Sequence, residues 1–176
     1  MPKLYMLPTW DLVITIVFLV ISGYNFILQR DKVIKLIIAA YIGLALASVW
    51  GEAVQNFLAG GSLSQDLLEG ETTLSSTKIG IFIIFTLLLT VKSEFTQVSE
   101  SKGITSSFIL GLYSVLSALL IFASIFSFLD EDSMNFLLSE SNLANFIIKY
   151  QLWFFLLPAI FMILGGFLTK KERKRR

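Results

Sequence analysis

Five blocks of apolar residues, separated by short polar connectors, follow one another along the chain. A membrane-spanning helix needs about 20 mostly apolar residues to cross roughly 30 Å of hydrocarbon. The pattern therefore predicts an all-α integral membrane bundle, a single domain over residues 1–176 with five transmembrane helices. We place the spans at about 10–28, 33–51, 77–92, 107–129 and 146–168.

Two of these blocks have features that bear on the number of spans. In the third block only Ile79 to Val91 is continuously apolar, so an interfacial or re-entrant helix, leaving four spans, is the alternative. Its ten strongly apolar residues contribute about −0.3 to −0.6 kcal/mol each to insertion, and helix can extend from Thr77 to Phe95, which favours a full span. In the fifth block, Pro158 predicts a kink near mid-span.

The basic residues lie mainly on alternate connectors. Connectors 29–35 and 92–105, together with tail 170–176, hold 11 of the 14 Lys and Arg residues. Because basic residues concentrate on the cytoplasmic side, five spans place the N-terminus outside and the tail in the cytoplasm. With four spans and the N-terminus inside, ten of these basic residues lie inside and four lie outside, so the charge distribution leaves both topologies open. We expect the tail cations to contact anionic lipid headgroups rather than nucleic acid: Lys170, Lys171, Arg173, Lys174, Arg175 and Arg176.

Composition narrows the classes of function. With 55% apolar residues, the chain has too little polar surface for a soluble globule of its length. It contains no Cys and no His, so disulfides, Cys/His metal sites and His-dependent nucleophiles have no usual ligand or base. We therefore expect neither an enzyme nor a bound cofactor or metal. The acidic run Asp130 to Asp132 is interpreted as the solvated start of an amphipathic surface helix capped by Ser133.

Small residues recur at helical spacing in two of the predicted spans. In the second span they lie four residues apart, on one helix face: Ala39, Gly43, Ala47 and Gly51. The fourth span offers a matching surface that includes Gly111, Ser114 and Ala118. Such faces let helix backbones approach closely, so we expect packing between these two spans, with a homo-oligomer interface as the alternative.

No charged side chain falls near the middle of a predicted span. Asp11, Lys35, Glu52 and Lys149 are all near a terminus, which argues against a proton-coupled or sodium-coupled carrier. Asn25 is the most polar point of the first span. If the protein is instead a small channel or carrier, the expected lining residues are Asn25, Gln29, Ser114 and Ser117.

A set of local features links the first two spans to a known family. Trp10 and Asp11 open the first span, Gly23 and Tyr24 lie late in it, and a short basic connector at 30–32 leads into a second span rich in small residues. In these features the chain resembles the colicin V production family of small multi-pass bacterial inner-membrane proteins. The resemblance covers about Leu7 to Leu129 and includes, more loosely, the fourth span opened by Gly111.

The resemblance implies a process rather than a reaction. It implies four shared spans and a non-enzymatic role in the bacterial inner membrane, as a scaffold or accessory subunit in toxin production, export or envelope homeostasis. It supplies no catalytic residue. Two departures stand out: Arg30 is followed by Asp31, where the family usually has an Arg-Gly pair, and the fifth span with its basic tail is an added feature.

The absence of native cysteine gives a direct test of the predicted orientation. Single Ser139→Cys and Ser99→Cys variants are expected to differ towards an impermeant thiol reagent added outside intact cells. Ser139→Cys should react, because its connector lies outside, whereas Ser99→Cys should be protected. Reaction of Ser99→Cys from outside would reject the orientation.

Overall fold

The computed structural model describes residues 10–27, 30–60, 74–92 and 104–173, and the regular structure in these ranges is helical. This confirms the all-α prediction. There are seven helices in the described ranges: α1 Trp10–Ile27, α2 Arg30–Gly60, α3 Leu74–Lys92, α4 Ile104–Ser127, α5 Glu131–Glu140, α6 Asn142–Lys149 and α7 Gln151–Arg173.

Four of these helices, α1 to α4, are long and apolar enough to cross a membrane. The pair formed by α6 and the 151–164 part of α7 makes a fifth if the two helices are counted together. Helix α3 includes the polar residues before Ile79, and its 19 residues correspond to about 28 Å of helix. The third block, which was the shortest in the sequence, therefore has the length of a span.

The fifth apolar block is not the single helix that was predicted to start near Phe146. A bend of 61° separates α6 from α7, and the break falls at Tyr150, which has a non-helical backbone with φ −107° and ψ 17°. The amide of Gln151 donates from Nε2 to the carbonyl of Ala123 at 2.9 Å, which fixes the first turn of α7 against α4. Phe146 to Lys149 consequently belong to the short helix α6.

Helix α4 is the centre of the bundle, since α1, α2 and α7 all pack against it, while α3 packs on α2. On one side of α4, Phe122 and Phe126 form an apolar cluster with Ile14 of α1. On another side, Leu120 packs in a second cluster with Ile37 of α2. The core is thus arranged around one helix with different neighbours on different faces.

Two tyrosines attach α7 to the bundle around Pro158. Because proline has no N–H and its ring crowds the preceding turn, the helical hydrogen bonds of α7 are weakened there, although the helix continues through this residue. The hydroxyl of Tyr41 on α2 donates to the carbonyl of Phe155, and the hydroxyl of Tyr113 on α4 donates to the carbonyl of Phe161 at 2.8 Å. These bonds give α7 partners on both sides of the proline.

We expect Tyr41→Phe to destabilise the protein by about 1 kcal/mol, because it removes the hydroxyl that bonds Phe155 and keeps the ring. The free energy of unfolding can be measured by titration with sodium dodecyl sulfate in mild detergent. Tyr24→Phe is the matched control, since Tyr24 lies exposed on α1 and should tolerate the change. Equal effects of the two substitutions would show that the Tyr41 hydroxyl contributes nothing specific.

Candidate functional site

The most polar point inside the bundle lies between α1 and α4. Helix α1 presents Ile14, Phe18 and Asn25 to α4, at spacings that place them on one helix face. The Asn25 side chain is only 1% exposed, and its Nδ2 donates to the hydroxyl of Ser117 at 2.8 Å. A polar contact therefore joins two candidate spans within an otherwise apolar interface.

The hydroxyls of α4 continue this contact along the helix. Ser117 donates from its Oγ to the carbonyl of Ser114 at 2.8 Å, and Ser114 donates to the carbonyl of Leu110 at 2.9 Å. Both serines thus use their protons on the backbone of their own helix. Ser117 can still accept from Asn25, and the resulting chain of bonds is local and contains no titratable group.

Two oxygens beside this chain have no hydrogen-bond partner. They are Asn25 Oδ1 and Ser22 Oγ, and both are buried. A buried polar atom without a partner costs about 1 to 3 kcal/mol by mutational measures. Two buried oxygens that could accept hydrogen bonds therefore have no donor, although the Nδ2 of the same Asn25 amide is bonded to Ser117.

The two glycines in the row of small residues on α2 lie against α3. A Cβ built on Gly43 would be 2.6 Å from Thr86 Oγ1 and 3.2 Å from the carbonyl oxygen of Phe82, and one built on Gly51 would be 2.5 Å from the Lys78 side chain. Sequence reasoning had named the fourth span as the mate of this row. The contacts of its two glycines lie on the third span instead, because α3 directly follows α2 as its main packing partner.

The remaining predicted packing residues lie on α2 and α4, and all but Gly111 are buried. Ala39 and Ala47 on α2 are buried, as are Ser114 and Ala118 on α4. A Cβ built on Gly111 would meet the ring of Phe26 on α1 at 3.7 Å, an ordinary contact distance. The small residues of α4 thus include one that faces the first span rather than the second.

The basic tail is only partly described. Lys170, Lys171 and Arg173 lie within the last turns of α7, while residues 174–176 lie outside the described residues. Gln29, which was predicted to line a channel or carrier, also lies outside them. Contact of the tail with lipid headgroups stays a prediction.

The acidic run at the start of α5 includes the residue that caps this helix, and it is a different residue from the one predicted. Asp130, rather than Ser133, is the N-cap, and its Oδ2 accepts from the backbone N–H of Ser133 at 3.0 Å. This N–H and then the Ser133 hydroxyl lower the pKa of Asp130. The contribution of this cap is present above the ordinary pKa of aspartate and is lost as pH falls through the lowered value.

Asp11 at the start of α1 holds the start of α6. Its Oδ1 accepts from the hydroxyl of Ser141 and from the backbone N–H of Leu143, while the Ser141 oxygen accepts from the N–H of Ala144. Sequence reasoning missed this contact because Asp11 and Ser141 are far apart in the chain. The preference for Ser at helix N-caps was the available signal for Ser141, whereas nothing local indicated Asp11 as its partner.

Searches of protein-family models, curated proteins and solved structures found no match to this chain. Across the ranges that the structure describes, no group of three or more Asp and Glu side chains is arranged to hold a metal ion.

We expect Gly43→Ala to destabilise the protein by about 1 to 3 kcal/mol, because the new methyl overlaps Thr86 Oγ1 and presses on the Phe82 carbonyl. The matched control is Gly23→Ala on α1, where an added Cβ meets nothing within 4 Å. Gly23→Ala should be neutral or stabilise by up to about 1 kcal/mol, through helix propensity alone. Unfolding in detergent measures both, and a neutral Gly43→Ala would mean that α2 and α3 are not in close contact.

Proposed function

We propose that the protein is a non-enzymatic scaffold or accessory subunit of the bacterial cytoplasmic membrane. In this proposal the N-terminus lies outside, the basic tail lies in the cytoplasm, and the protein works as a homo-oligomer or with another membrane protein. The cytoplasmic position of the tail is supported by the distribution of Lys and Arg, and the outer position of the N-terminus follows from a count of five spans. The helices long and apolar enough to cross a membrane support the membrane location itself.

The observation that carries the proposal is the bond between Asn25 and Ser117. A residue that lines a passage for ions or solutes must meet water in at least one state, yet Asn25 is 1% exposed and its amide N–H₂ group bonds directly to the neighbouring helix. The most polar group of the first span thus contributes to helix packing. This use of a polar side chain is typical of interhelical contacts in membranes.

Other polar side chains near the bundle core also donate hydrogen bonds to atoms of the protein. The hydroxyls of Tyr41 and Tyr113 and the amide of Gln151 all donate to backbone carbonyls of neighbouring helices. Thr90 and Ser124 donate to carbonyls of their own helices. The bonds of Tyr41, Tyr113 and Gln151 fix helices relative to each other, which favours a protein whose role is to present a defined surface.

The process proposed for this scaffold is toxin production or export, or envelope homeostasis. Its support is the resemblance of the first two spans to the colicin V production family, centred on Trp10, Asp11, Gly23 and Tyr24. In the structure Asp11 accepts hydrogen bonds from the Ser141 cap of α6 and from Leu143, so one of these residues has a structural task in this chain. The resemblance carries no catalytic residue, in keeping with a non-enzymatic role.

A small channel or carrier is the second candidate, and the unpartnered oxygens Asn25 Oδ1 and Ser22 Oγ are the observation that favours it. Oxygens of this kind can accept from a passing solute or coordinate a cation.

Purification of the full-length protein in mild detergent tests the scaffold. We expect a defined oligomer, or a membrane protein partner at fixed stoichiometry, measured by light scattering and mass spectrometry. A strict monomer without a co-purifying membrane protein would reject the proposal.

Flux into proteoliposomes tests the second candidate with the same material. The scaffold predicts no flux of ions or small solutes above that of empty vesicles. Flux that is lost in Asn25→Leu and kept in Tyr24→Leu, its exposed neighbour on α1, would establish the channel or carrier in its place.

A further inference from the structure

Helix α6 has three distinct faces, where a surface helix of a soluble protein has two. Its buried side chains include Ala144 and Ile147, which pack in the cluster around Phe122 and Phe126 of α4. Its exposed residues then divide by chemistry. At about 100° per residue, Leu143, Phe146 and Tyr150 fall in one sector of about 60°, and Asn142, Asn145 and Lys149 fall in another.

The orientation of these faces is fixed at both ends of the helix. At the N-terminus, Asp11 and the Ser141 cap hold the first turn of α6 against α1. At the C-terminus, the ring of Phe146 lies 4.9 Å from that of Tyr150 and 6.0 Å from that of Phe154 on α7. Helix α6 therefore cannot rotate to hide its apolar sector without breaking these contacts.

The apolar sector of α6 continues into the exposed side of α7. Phe146 is 52% exposed, and at the start of α7 Leu152 at 76% and Trp153 at 58% are exposed as well. Leu156 and Ile160 extend this exposed apolar surface along α7. A helix that spans a membrane exposes such residues to acyl chains, so the apolar sector of α6 is continuous with a lipid-facing surface.

The polar sector lies beside the apolar one and includes the single cation of α6. The Nζ of Lys149 lies 5.7 Å from the centre of the Tyr150 ring. Exposed amides and an ammonium group next to aromatic residues are the composition of the membrane interface, where lipid phosphates and water meet the hydrocarbon.

We propose that α6 lies in the membrane interface on the side of Trp10, with Leu143, Phe146 and Tyr150 in contact with lipid acyl chains and Asn142, Asn145 and Lys149 in the headgroup layer. The 61° bend at Tyr150 directs α6 away from the course of α7, as required of a helix that leaves the span to lie along the surface. The inference goes beyond the proposed function, because it assigns a lipid-binding surface that neither a scaffold nor a channel role requires.

Adjacent positions on α6 provide matched probes in the cysteine-free full-length chain. Leu143→Cys and Phe146→Cys are labelled with a nitroxide, as are their polar neighbours Asn142→Cys and Asn145→Cys. The labelled proteins are reconstituted in vesicles of phosphatidylcholine and phosphatidylglycerol. Electron paramagnetic resonance then measures collision with oxygen, which concentrates in the hydrocarbon, and with a water-soluble nickel chelate.

We expect the ratio of oxygen to nickel collision rates to be several-fold higher at 143 and 146 than at 142 and 145. Equal access of nickel to all four labels would overturn the proposal, since α6 would then stand in water. Protection of 143 and 146 from both reagents would also overturn it, by showing that protein covers the apolar sector. The pair at 142 and 143 keeps the test decisive if Phe146→Cys alters packing with Phe154.

Discussion

The arrangement of the bundle depends on hydrogen bonds between helices, because polar groups among apolar helices are stabilised by partners within the protein. Helix backbones satisfy themselves, but the side chains of Asn25, Tyr41 and Tyr113 do not. Each of them bonds to an atom of another helix, and the acceptors are the Ser117 hydroxyl and two backbone carbonyls of α7. The polar residues of the core thereby specify which helices are neighbours, a choice that apolar surfaces alone leave open because lipid competes equally for them.

Helices α5 and α6 depend on a second constraint, because the backbone N–H groups at their N-termini need hydrogen-bond acceptors. Asp130 provides the cap of α5, and Asp11 supports the Ser141 cap of α6 from another helix. Trp10 adds an edge-on aromatic contact with Phe136 at 6.1 Å. The start of α1 thus organises a structure that lies more than a hundred residues later in the chain, and a substitution at Asp11 acts on α6 as well as on α1.

The elements that sequence predicted well are those decided by local composition. The first apolar block, predicted as a span at 10–28, forms a helix of nearly that extent, Trp10–Ile27, and the third block forms a helix long enough to cross. The break at Tyr150 was missed because the long apolar runs on either side dominate the hydropathy of the block, although Lys149 and Gln151 flank the break. Of the candidate site, Asn25 could be singled out as a polar residue in an apolar span. Other contacts depend on which helices meet: the bond of Asn25 to Ser117, the contacts of Gly43 with α3 and the bond of Ser141 to Asp11. A single sequence does not encode that choice locally.

The way α1 is attached distinguishes it from the other long helices. The side chains that bond it to other helices, Asp11 and Asn25, lie near its two ends. They are separated by about 21 Å of helix at 1.5 Å per residue. Between them, Ile14 and Phe18 pack on α4, while Ile16, Val20 and much of the remaining surface are exposed. A helix fixed at both ends and covered on one side is held at a set angle and still offers a continuous apolar face. This combination of rigid placement and open surface follows from the bonds of Asp11 and Asn25, and it is the property that the proposed scaffold would need.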